Sequence, residues 1–195
     1  SSVEESSSSV SVSSAPTVLP FEIGSTEFAD GAQLPSQYTC DGKRFGEGYS
    51  PYLTWSDGPE GTQSYALIFI DTTLTQKTPP DLNGYHWMVW NIPTSVNALP
   101  ERLANDAQPA AMAGATQYGA HFARNGYFGP CPNIGNGNEN HTYTFVVYAM
   151  PTATIPANFQ GNGTARVQNG VSYFEANNIG KAVLTVTSNA VATGF

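Results

Sequence analysis

Tyr127-Phe128-Gly129-Pro130-Cys131-Pro132 is followed, nine residues after Pro132, by His141-Thr142-Tyr143 at the head of an apolar run. A stiff Gly/Pro loop feeding a strand that opens on His can hold backbone N–H groups and an imidazole around a small polar ligand. Two further polar residues stand at the ends of apolar runs. Asp71 closes Ser64-Tyr65-Ala66-Leu67-Ile68-Phe69-Ile70, and His86 opens Trp87-Met88-Val89-Trp90-Asn91-Ile92. Three strands would therefore deliver Asp71, His86 and His141 to one rim.

Working outward, short β-rich runs alternate with turn clusters from Phe21 onward: 21–28, 52–55, 65–70, 86–92, 142–150 and 182–187. The runs at 66–70 and 146–150 are apolar on both faces and read as central strands covered on both sides. Long irregular connections at 72–84 and 119–140 are the segments expected to carry function. Helix signal is sparse: 101–113, interrupted by Pro109, and 170–178, where Val171, Phe174 and Glu175 adjoin on a helix surface. Residues 1–20 are Ser-rich and low in complexity, cannot bury enough apolar surface to fold alone, and read as a tether to one domain at 21–195.

The 195 residues suffice for one domain with a substantial core. Charged residues make up only 11% while Gly, Pro, Ser, Thr, Asn and Tyr are plentiful, a profile of secreted β-rich proteins. A net charge of −8 with seven scattered basic residues excludes a nucleic-acid partner. No apolar run approaches the roughly 20 residues that span a bilayer and no signal peptide is visible, so the expectation is a soluble or already processed form. Cys40 and Cys131, the only cysteines, pair in an oxidising compartment and are buried free thiols in a reducing one. Two cysteines at unrelated spacings do not make a structural zinc site.

Tyr38-Thr39-Cys40-Asp41-Gly42, Ser50-Pro51-Tyr52-Leu53-Thr54-Trp55, Asp71, His86-Trp87, Gly129-Pro130-Cys131-Pro132 and His141-Thr142-Tyr143-Thr144-Phe145 occur in this order along the chain. In order and approximate spacing they resemble the phosphatidylethanolamine-binding proteins, also called Raf kinase inhibitor proteins, and most of all their bacterial branch. The resemblance covers about residues 21–187. It implies a mainly β, sandwich-like fold with a large central antiparallel sheet, a smaller sheet and few short helices. It also implies a pocket at one end for a small anion such as phosphate, acetate or a phosphoryl head group.

Carried over by residue, Asp71 matches the first aspartate of the family's Asp-Pro-Asp-x-Pro motif, and His86 the histidine before its hydrophobic strand. Gly129, Pro130 and Pro132 match the pocket-wall loop; His141 and Tyr143 match the His-Arg-Tyr triplet. Here Thr72-Thr73-Leu74 follows Asp71, so the second acidic residue and both prolines are missing, and Thr142 stands where Arg is common.

An anion needs donors, which imidazoles, backbone N–H groups and the Tyr143 hydroxyl supply. Asp71 would repel it, so its expected task is to accept a hydrogen bond from His86 and favour the imidazolium, strengthening anion binding below about pH 7. The plainer alternatives are strand-end histidines bonded to backbone, an Asp71 that caps a turn, and three tryptophans in the core. His121 matches no motif and reads as a surface-loop residue.

Asp71, His86 and His141 have the types of a two-histidine, one-carboxylate metal triad, but the close spacing of such sites is missing. A hydrolase would need an activated nucleophile, and neither a Gly-x-Ser-x-Gly motif nor a Cys beside a His is present. The sequence therefore points to a binding protein without catalytic residues, cofactor or metal, exported as a periplasmic, secreted or lipid-anchored envelope protein. Its expected disulfide joins Cys40 to Cys131, and its only membrane attachment would be an N-terminal lipid. The alternative is an inhibitor acting on a kinase or hydrolase target through its surface.

Overall fold

The computed structural model describes residues 2–3, 7–15, 17–122, 124–156 and 159–195. The parts of the proposed tether at residues 1, 4–6 and 16, and residue 123 of the second long connection, lie outside the described residues. The strands are β1 (Ile23–Gly24), β2 (Leu53–Trp55), β3 (Ser64–Asp71), β4 (Tyr85–Pro93), β5 (Ala98–Leu99), β6 (Thr116–Gly119), β7 (Asn133–Ile134), β8 (His141–Met150), β9 (Gly180–Ser188) and β10 (Val191–Ala192). The α-helices are α1 (Thr72–Thr75) and α2 (Gly163–Asn177).

The five longer strands form one antiparallel sheet in the order β6-β4-β3-β8-β9. The three-stranded sheet β1-β2-β5 covers one face and contributes Ile23, Leu53, Trp55 and Leu99 to a core shared with Leu67, Phe69, Trp87 and Phe145. The other face carries α2, whose Val167 and Phe174 pack among Ile68, Met88, Trp90 and Tyr148. The sheet is thus covered on both sides, which explains why its central strands read as unbroken apolar runs rather than alternating ones. Gly170 lets α2 approach closely, since a Cβ there would run into the sulfur of Met88. Trp55, Trp87 and Trp90 are all core residues.

Three expectations need correction. No α-helix forms over 101–113; only Ala110–Met112 make a single 3-10 turn. Ser50 takes the amides of Arg102 and Leu103, and the Gln117 side-chain amide takes the carbonyls of Ala104 and Asp106 at 2.6 and 2.7 Å, so helical pairing has no partners. Of the expected strand at 21–28, only Ile23 and Gly24 pair, because beyond them Ser25 bonds Tyr52 O at 2.6 Å and turns the chain. The second helix begins seven residues earlier than the apolar pattern indicates, at Gly163 rather than Gly170.

Cys40 and Cys131 form a disulfide with their Cα atoms 5.4 Å apart. It ties the loop after Tyr38 to the wall segment 127–132, alongside bonds from Cys40 N to Pro130 O (3.1 Å) and from the Tyr127 hydroxyl to Tyr38 O (2.9 Å).

Candidate functional site

The ends of β3, β4 and β8 meet at one edge of the main sheet and enclose a cavity of about 420 Å³. Register determines which side chains enter it. Asp71 lies opposite Tyr143 across the antiparallel β3–β8 pair, and His141, two residues before Tyr143, shares that face. His86 arrives differently. Phe69 pairs with Trp87 and Ile70 with Tyr85, so β4 spends two steps on one step of β3 and His86 is the extra residue of a bulge. Strand alternation would send its ring to the α2 side; the bulge re-aims it toward Phe69, Phe128 and Tyr143, with ring centroids 5.3, 5.2 and 5.8 Å away.

Asp71 bonds His141, not His86 as the sequence reading expected. The His141 Nδ1 to Asp71 Oδ2 distance is 2.6 Å, and Asp71 Oδ1 accepts the Leu74 N–H at 3.2 Å, capping α1. Asp71 therefore both orients a histidine and caps a turn. Burial pushes its carboxyl pKa up, against the opposing pull of His141 and the Leu74 amide. Burial likewise drives the Tyr143 phenol well above its ordinary value, beside Asp71.

His86 instead has Nδ1 2.9 Å from the carbonyl of Phe128. Because a carbonyl only accepts, Nδ1 carries the proton in the neutral ring. Burial, with smaller effects from His121 and His141, pushes the His86 pKa down to about 3, and the Phe128 carbonyl offsets only part of this. The expected Asp71-stabilised imidazolium at position 86 is thereby corrected: the free site holds a neutral ring whose remaining nitrogen, Nε2, is an acceptor.

Pro132 lines the cavity; Gly129 and Pro130 stand behind it. A Cβ on Gly129 would lie 2.7 Å from Glu47 O and 2.9 Å from Tyr38 O, so this position packs backbone on backbone and supports the wall. His121, read as a surface residue, also lines the cavity: its ring lies 4.5 Å from Phe128 and its Nε2 3.2 Å from Asn83 O. Burial lowers its pKa. Lys77, Asp81 and Glu139 complete the polar lining, and Glu139 Oε2 comes within 3.6 Å of His141 Nε2. Lys77, Asp81 and His121 belong to the long connections and carry no local signature; Glu139, two residues before His141, is the one that spacing could have flagged.

The departures from the family motif around Asp71 have a local role. The Thr73 hydroxyl accepts the Thr142 N–H at 2.8 Å and the Thr72 hydroxyl donates to Thr142 O at 3.0 Å, pinning α1 to the start of β8. Among the described residues, no group of three His, Cys, Asp or Glu side chains has the arrangement to hold a metal ion.

The sequence pattern of the phosphatidylethanolamine-binding protein family matches residues 24–189. UPF0098 protein YbcL of Escherichia coli (strain K12) is 35% identical over 169 residues, 85% of each chain. A UPF0098 protein of Aquifex aeolicus is 36% identical over 134 residues, 69% of this chain and 70% of its own. A Mycobacterium tuberculosis protein named "Putative lipoprotein LppC" is 35% identical over 147 residues, 71% of this chain and 60% of its own. The crystal structure of E. coli YbcL, titled a new member of the mammalian PEBP family, superposes with a TM-score of 0.67 at 32% identity, covering 87% of this chain and 98% of that one. With the bulged His86, the His141–Asp71 pair and the disulfide-tied Gly-Pro wall arranged around one cavity, the chain belongs to the phosphatidylethanolamine-binding protein family.

Proposed function

We propose that this protein binds a small anion, phosphate or a phosphoryl head group, in the cavity at the β3–β4–β8 edge, and does so without catalysing a reaction. One observation carries the reading. His86 and His141 each commit Nδ1 to a fixed protein acceptor, Phe128 O and Asp71 Oδ2, leaving Nε2 as the ring nitrogen for the cavity. Both tautomers are thereby set before a ligand arrives, the preorganisation that makes a binding site specific. A neutral His86 accepts at Nε2, so it suits a monoprotonated phosphoryl group that brings its own O–H, or a bare anion that draws a proton onto the ring.

Lys77 supplies the formal positive charge, while Asp81 and Glu139 suit a ligand that carries an ammonium beside its phosphoryl group. Against catalysis, the lining formed by the described residues includes no Ser or free Cys, and the Thr72 and Thr73 hydroxyls are spent on Thr142. The disulfide, together with a relative named as a lipoprotein, favours an exported envelope protein, soluble or lipid-anchored.

Calorimetric titration of phosphate and phosphoethanolamine into the protein and its His86→Ala variant tests the site. Saturable binding that the variant loses supports it; absence of binding by the intact protein contradicts it. Turnover in an esterase or phosphatase screen, abolished by His86→Ala, would contradict the non-catalytic assignment.

A further inference from the structure

Beside the cavity, and separate from its histidines, lies a shallow groove of about 320 Å³ lined by Phe45, Phe122, Phe195, Arg44, Arg124 and Glu47. Three features distinguish it. First, Phe122 and Phe195 are 62% and 82% exposed, yet both pack against Phe45, edge-on and tilted respectively, at centroid distances of 5.8 and 5.6 Å. Apolar rings left uncovered side by side mark a contact surface rather than a core.

Second, Phe122 sits at φ +56°, a left-handed backbone that a bulky residue seldom adopts. That conformation presents its ring next to Phe45 and Phe128. The Phe45 amide also bonds Gly194 O at 2.8 Å, which anchors the segment bearing Phe195. The aromatic walls are thus held in place rather than collapsed.

Third, in a chain of net charge −8, the side chains of this groove bring two guanidinium groups, Arg44 and Arg124, against the Glu47 carboxylate. Arg44 is 73% exposed and meets Glu47 only at 3.7 Å. Arg124 spends Nη1 on Gly46 O at 2.6 Å and keeps its other donors. Guanidinium donors are forked to take a carboxylate, and Phe45 and Phe122 stand at 88° to one another, offering a ring edge and a ring face at once.

We propose that this groove binds an aromatic carboxylate, its ring seated against Phe45 and Phe122 and its acid group paired with Arg44 and Arg124. An edge-to-face or offset ring pair is favoured over an aliphatic body of equal size by the ring quadrupole, and the guanidinium pair selects the acid. The groove shares Phe45 with the histidine cavity but none of its histidines, and the proposal stands whether or not phosphate binds there.

Phenylacetate and cyclohexylacetate, titrated calorimetrically into the protein, Phe122→Ser and Arg44→Gln, test it. Both substituted positions are exposed, so the variants are expected to keep the fold, which far-UV circular dichroism checks. The expected result is one saturable phenylacetate site in the millimolar range or tighter, weakened about tenfold by Phe122→Ser and several-fold by Arg44→Gln, with cyclohexylacetate about tenfold weaker than phenylacetate. No saturable phenylacetate binding, binding undiminished in both variants, or cyclohexylacetate binding as tightly as phenylacetate would each overturn the proposal.

Discussion

Asp71 holds two ends of the site at once: Oδ2 receives the Nδ1–H of His141 at 2.6 Å, and Oδ1 receives the amide of Leu74 at 3.2 Å. An asparagine can keep one of these bonds but turns an NH₂ toward the other donor. Asp71→Asn should therefore lose about 1–3 kcal/mol of stability, read as a lower urea midpoint at pH 7. It should also weaken phosphate binding, because the His141 ring loses its orienting partner. Unchanged stability and affinity would mean that the pair supports nothing.

His86 makes acidification costly. The unfolded chain protonates this ring near pH 6.5, whereas the folded state resists until about pH 3. The unfolded state thus binds more protons within this window, and stability falls as pH drops through it, by about 2 kcal/mol at pH 5. Asp71 acts with the opposite sign, since its raised carboxyl takes up a proton more readily when folded. Comparing urea midpoints at pH 7 and pH 5 for the protein and His86→Phe isolates the histidine, and the variant should lose less stability on acidification.

The disulfide joins residues 91 positions apart. The chain-entropy model assigns such a loop about 4–5 kcal/mol. A Cys40→Ser, Cys131→Ser double variant should show that loss in urea unfolding, and reductant should lower the stability of the native protein toward the same value. A variant as stable as the parent would contradict the structural role given to the bridge.

Gly129 tests the wall. With its Cβ position facing Glu47 O and Tyr38 O at 2.7 and 2.9 Å, Gly129→Ala must displace backbone, at a cost of about 1–3 kcal/mol. Phosphate affinity should fall with it, since Phe128, the neighbouring residue, supplies the carbonyl that fixes the His86 tautomer. An alanine variant with unaltered thermal midpoint and affinity would show that the wall tolerates movement.

The long apolar strands were legible because both faces of the main sheet are covered. The two- to four-residue strands β5, β6, β7 and β10 were not, since tertiary pairing rather than local pattern creates them, and β1 was expected over 21–28 but pairs only at Ile23–Gly24. Asp71, His86, His141 and Tyr143 could be singled out from their positions at strand ends. Their partnerships could not, because the bulge at His86 and the β3–β8 register decide them. His121, Lys77 and Asp81 reach the cavity from irregular loops, where no periodicity marks a side chain's direction. The region 101–113 looked helical in composition, and Ser50 and Gln117, distant in sequence, overrode it.

The central claim is that an anion entering the cavity against the neutral His86 ring takes up a proton there, on its own O–H or onto Nε2. It is tested most directly by titrating phosphoethanolamine at pH 7.5 in buffers of different ionisation enthalpy. The account predicts saturable binding with net uptake of protons, abolished in His86→Ala. Binding with no proton exchange, or binding that His86→Ala leaves intact, would contradict it.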